Sequence, residues 1–119
     1  MTHLDEGSTT DLLRFLANHL SPSGACVLTT CGQHIFEAIR AGANSYGLSE
    51  GEQARLVSSY LDSGYGFGAY DDHPDYGISV VSPQRLREIA RSAGLTHEIV
   101  FLERGWDDHQ DVFGFMAGN

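Results

Sequence analysis

The chain's 119 residues make one domain, and its 41% hydrophobic content is that of a folded globular protein rather than a disordered or fibrous one. No apolar run reaches the roughly 18 residues needed to cross a bilayer, which excludes a helical membrane span. A net charge of -9, from 16 acidic residues against seven arginines and no lysine, argues against nucleic acid and anionic lipid as partners.

The first ten residues carry Asp5 and Glu6, with no basic residue and no apolar stretch, so nothing there reads as a secretion signal. Ser8-Thr-Thr-Asp11 has capping-box spacing and is expected to open a helix with Leu12, Leu13, Phe15, Leu16 and Leu20 on one face. Pro22-Ser-Gly24 ends it. Ala25 to Thr30 is a short continuous apolar run, the pattern of a strand buried on both faces of a parallel sheet. Cys26 and Cys31 lie about 16 Å apart on an extended chain, too far for a disulfide, so free thiols and a cytoplasmic protein are expected.

Residues 33–41 have helical spacing, with Ile35, Phe36 and Ile39 inward. Ser49-Glu-Gly-Glu52 is a second capping box, and its helix should run through Leu56, Val57, Tyr60 and Leu61 to Gly64. Residues 65–75 read as an aromatic, glycine-rich, acidic loop and 76–81 as a strand. Ser82 should cap a helix with Pro83 in its first position and Gly94 at its end. His97–Glu103 and Gln110–Met116 read as two strands joined by a short connection, which favours an antiparallel hairpin. Fourteen glycines, many between 42 and 77, mark residues 31–81 as an irregular insertion in a single α/β unit spanning 1–119.

Three segments carry a family likeness. Leu16-Ala-Asn-His-Leu-Ser-Pro-Ser-Gly-Ala-Cys-Val-Leu-Thr-Thr30, Ser82-Pro-Gln-Arg-Leu-Arg-Glu-Ile-Ala-Arg-Ser-Ala-Gly-Leu95 and Trp106-Asp-Asp-His-Gln-Asp-Val-Phe113 follow each other in the order helix, turn, strand, insertion, helix, strand pair. Their order resembles the C-terminal half of class I S-adenosylmethionine (SAM)-dependent methyltransferases. The resemblance implies a partial Rossmann-like fold: helix, central parallel strand, helical insertion, helix and antiparallel terminal strand pair. It also implies SAM as cofactor and a small-molecule acceptor, and it places Thr2, His3 and Leu4 near the donor.

The family's glycine-rich turn after its first strand, and the acidic residue that takes the ribose hydroxyls, have no counterpart here. Gly64-Tyr-Gly-Phe-Gly68 has the letters but follows a helix rather than a strand, so it reads as a flexible aromatic flap. A chain of this kind is expected to lack the donor pocket, and to self-associate or pair with a completing N-terminal half.

Ligands of open α/β sheets bind beyond the carboxyl ends of strands, which brings Thr30, Cys31, Gly32 and His34 to a site. His34 is a candidate general base, as is His109 among Asp107, Asp108 and Asp111. Cys31 has no basic sequence neighbour to make it a nucleophile. Tyr65, Phe67, Tyr70, Asp72, His73 and Tyr76 in the insertion, with Trp106 and Asp108 in the last connection, are candidates to contact the acceptor. Each also has a structural reading, as a satellite aromatic core or a hairpin-pinning turn. Asp71, Asp72, His73 and Asp75 further admit a metal-dependent hydrolase. A non-enzymatic remnant or accessory subunit is the remaining alternative.

Overall fold

The computed structural model describes residues 1–117. In chain order the elements are α1 (Glu6–His19), β1 (Ala25–Thr30), α2 (Gln33–Arg40), α3 (Glu50–Ser63), β2 (Tyr65–Tyr70), β3 (His73–Val81), α4 (Pro83–Ala93), β4 (His97–Trp106) and β5 (Gln110–Met116). They form an α/β domain with two antiparallel sheets: β1-β5-β4, and the hairpin β2-β3.

The central parallel strand is corrected. The middle strand is β5, and it runs antiparallel to both β1 and β4. The apolar run 25–30 misled because it was read as buried on two faces. Its pattern alternates instead: Cys26, Leu28 and Thr30 point inward, while Val27 is 69% exposed. Register places Leu28, Phe113 and Phe101 in one inward row and Cys26 beside Phe115. Onto that face α1 and α4 bring Leu13, Leu86, Ile89, Ala90 and Ala93 to complete the larger core.

The opposite face of this sheet carries Val27, Val100, Val112 and Leu102 in register, and no element of the described residues covers it. Leu102 and Ile99 are each 52% exposed. Glycine at position 114 leaves room for the Val100 side chain, since a Cβ there would meet Val100 Cγ1 at 2.5 Å.

Two helix starts fall where capping chemistry puts them. Ser49 Oγ accepts the Glu52 N–H, and Ser82 Oγ accepts the Arg85 N–H. Gly64 and Gly94 close their helices in the left-handed region. The first helix differs: Asp5, not Ser8, is the cap, accepting the Ser8 N–H at 2.7 Å, so α1 starts three residues early. Phe15, expected on the apolar face, lies on the outer side, 56% exposed.

The two helices and the later strand expected within 31–81 form, and the loop expected at 65–75 is corrected: it folds into the β2-β3 hairpin, and these elements enclose a second core of Ile35, Phe36, Ile39, Leu48, Leu56, Tyr60, Ile78 and Val80. The flap at 64–68 is strand β2. Its glycines serve close packing: a Cβ on Gly66 would strike the Leu56 carbonyl, and one on Gly68 would meet Leu48 Cδ1 at 2.6 Å.

Candidate functional site

The two histidines chosen from sequence, 75 positions apart, converge at the carboxyl end of β1. The β1–α2 turn is two residues, so His34 stands in the first turn of α2 beside Cys31 and Gly32. The β4–β5 connection brings His109 over it, with ring centroids 5.5 Å apart and planes at 81°. Both histidines are half-buried.

Tyr46, not anticipated, completes the group. It lies in the α2–α3 connection at φ 51°, a conformation favoured by the short turn in which Asn44 Oδ1 accepts its N–H. Its hydroxyl is 2.8 Å from His109 Nε2. Burial pushes the Tyr46 phenol up, and the neighbouring Cys31 adds to this. With Nε2 engaged, Nδ1 of His109 is the ring nitrogen left for an outside partner.

Asp111, also missed as a site residue, anchors the floor at 2% exposed. It pairs with Thr30 across the sheet, and its Oδ1 accepts the Arg104 N–H at 2.9 Å. Its other oxygen fills the space a side chain on Gly32 would need, which explains the glycine there. Burial pushes this carboxyl up; the Arg104 N–H opposes it, Glu103 adds to it and His34 opposes it. Cys31 is 2% exposed, and burial pushes its thiol up to about 12, against the pull of the terminal amine. At neutral pH it is a packed thiol rather than a nucleophile.

The remaining candidates divide. Tyr65 is core: 3% exposed, its hydroxyl shared between Thr9 Oγ1 at 2.7 Å and the Leu4 carbonyl at 2.6 Å, so it faces no ligand. Phe67 is half-buried on β2. Tyr70, His73 and Tyr76 cluster on the hairpin, with Tyr76 edge-on to both rings. Trp106 stands 61% exposed at the end of β4. Asp108 is exposed and pairs with Arg104 at 3.1 Å. Asp71, Asp72, His73 and Asp75 are strung along the exposed tip, and among the described residues no three of His, Cys, Asp and Glu come together to hold a metal ion.

Thr2, His3 and Leu4 lie along β3. The Thr2 carbonyl accepts the Ser79 N–H, His3 Nδ1 donates to the Gly77 carbonyl at 2.7 Å, and the Leu4 carbonyl takes the Tyr65 hydroxyl. One polar atom of each is thus committed within the protein. With the glycines of 64–68 packed on the chain's own helix and loop, the residues present do not form a cradle for SAM.

A surface cavity of about 390 Å³ lies elsewhere, between the end of α3 and the start of α4. In its lining the Arg85 guanidinium is paired with Glu6 and Glu88 through its two terminal nitrogens, while its Nε is buried without a partner. No helix of the described residues is long and apolar enough to cross a membrane. No protein-family model, curated protein or solved structure matches the chain.

Proposed function

We propose that this chain is the acceptor-facing side of a class I SAM-dependent methyltransferase domain, completed by a separate donor-binding segment. The observation that carries the reading is the convergence of His34 and His109 at the carboxyl end of β1, beside a strand edge that continues into no further ladder. In this reading His109 Nδ1 takes a proton from an acceptor, Tyr46 holds the ring through Nε2, and the His34 ring packs edge-on beside it. The half-domain character rests on the missing cradle and on the bare outer sheet face.

The coding DNA upstream of Met1, or an adjacent gene, is expected to encode a strand ended by a glycine-rich turn. Calorimetry should then show SAM binding to the completed protein and no tight binding to residues 1–119. In that completed protein, His109→Ala should lower the methylation rate by about 10²–10⁴-fold, the usual worth of a general base. Tight SAM binding by the chain alone, or a His109→Ala variant of unchanged rate, overturns the reading.

A second reading, a non-enzymatic accessory subunit, is favoured by one observation: Val27, Ile99 and Leu102 leave the outer sheet face apolar and open. Under that reading, partner capture by the sheet face survives simultaneous loss of His34 and His109, and no methyl transfer accompanies it.

A further inference from the structure

Aromatic rings form a band in two groups on the surface, His34, His109 and Tyr46 at one end and Tyr70, His73, Tyr76 and His3 at the hairpin, with Gly47 between them. His109 stands 5.8 Å from Tyr46 between centroids. The next residue, Gly47, packs on the ring of Tyr70, where an added Cβ would lie 3.4 Å from Cε1. Tyr70 meets Tyr76 edge-on at 5.3 Å, and His3 stacks on Tyr76 at 5.0 Å. Four separate segments contribute: the β4–β5 connection, the α2–α3 connection, the hairpin and the N-terminal stretch. Tyr76 is still 49% exposed, so ring surface is presented to solvent.

Exposed carboxylates stand at both ends of the band. At the hairpin end stand Asp71, Asp72 and Asp75, all exposed; at the other stand Asp107 and Asp108. Of these five, only Asp108 has an ion-pair partner among the described residues. The basic residues lie on other elements, apart from Arg104 beside Asp108. Ring faces carry a negative quadrupole and attract cations, and uncompensated carboxylates at both ends add to the same field. An anion would meet repulsion from both.

We propose that this band binds a small organic cation, an alkylammonium group lying over Tyr70 and Tyr76. The proposal rests on the acceptor-side reading for the band's role, not for its affinity. In that role the bound group is a cationic end of the acceptor, held at the hairpin and away from the reacting atom at His109.

The test uses the full chain with no SAM present, so its outcome is separate from that of the methyltransferase reading. Choline is the cationic probe and 3,3-dimethylbutan-1-ol its neutral isostere, each titrated while NMR follows the Tyr and His ring resonances. Choline should shift Tyr70, Tyr76 and His3, and the alcohol should bind about tenfold more weakly. Tyr76→Leu should abolish the preference, and replacing Asp71, Asp72 and Asp75 by Asn should weaken choline severalfold. Both sites are exposed, and thermal melts of each variant verify folding. Equal binding of the two probes, no binding of choline, or an affinity unchanged in folded Tyr76→Leu overturns the proposal.

Discussion

At the scale of single residues, the site depends on one exchange of space, the Asp111 carboxylate in the place of a side chain on Gly32. Gly32→Ala should destabilise the fold by about 1–3 kcal/mol, the usual cost of overpacking, and removing the carboxylate in a Gly32→Ala/Asp111→Ala double variant should recover part of it. Additive losses in urea melts would show that the two do not compete. Asp111 also gives a signed pH effect. Burial raises its folded pKa above the unfolded value near 4, so its ionisation costs stability as pH rises through that interval. Asp111→Asn keeps the bond from Arg104, and its stability relative to wild type should climb over the same interval and then level off. A difference independent of pH would contradict the burial argument. For Cys31, with its thiol pushed up to about 12, alkylation at pH 8 should be slow in the native protein and fast in urea. The unreactive Cys31 was legible from its sequence neighbours; Asp111 was not, because it looked like one more acidic residue in a charged turn and its burial depends on Gly32, 79 positions away.

At the scale of elements, the helices were the legible part. Ser49, Ser82, Pro83, Gly64 and Gly94 each do locally what their chemistry dictates, and local signals survive without tertiary information. The first helix was misjudged by three residues because Ser8 and Asp5 both suit a cap, and only the fold selects between them. Asp5→Ala should cost about 1 kcal/mol. Its carboxyl is held below the usual range by the Ser8 N–H, so this contribution is present at neutral pH and disappears as pH falls through the lowered pKa. Equal acid stability of variant and wild type would contradict the capping role. The strands were less legible. A six-residue apolar run does not declare one-sided burial until its neighbours are known, and the hairpin at 65–81 was obscured by glycines that read as loop but serve close packing. Tyr46 was missed for a related reason: a tyrosine between Ser45 and Gly47 carries no sign that the chain will bring His109 to it.

At the scale of the whole molecule, the outer sheet face is the feature to explain. By strand spacing and rise it offers about 300 Å², well under the roughly 800 Å² per partner of a stable interface. That area supports weak self-association, and firm binding requires the sheet to be extended as well. Leu102→Glu places a charge on this face at an exposed site, so it should suppress concentration-dependent sedimentation while changing stability by no more than about 0.5 kcal/mol. Association that persists unchanged would locate the contact elsewhere.

The edge itself is the decisive place. On the side of β1 away from β5, the Thr29 carbonyl meets the Met1 amine and the Cys31 carbonyl meets the Val81 N–H. Strand alternation turns Ala25 and Val27 to that same side, where no ladder continues. Native-state hydrogen exchange, measured at dilution where the chain sediments as a monomer, reads these amides one by one. A half-sheet predicts rapid exchange at Val27 flanked by protected Cys26 and Leu28, with Val27 slowed once the donor-binding segment is supplied. Strong protection of Val27 in the lone monomer would mean that the edge is already closed, and the half-domain account would fail.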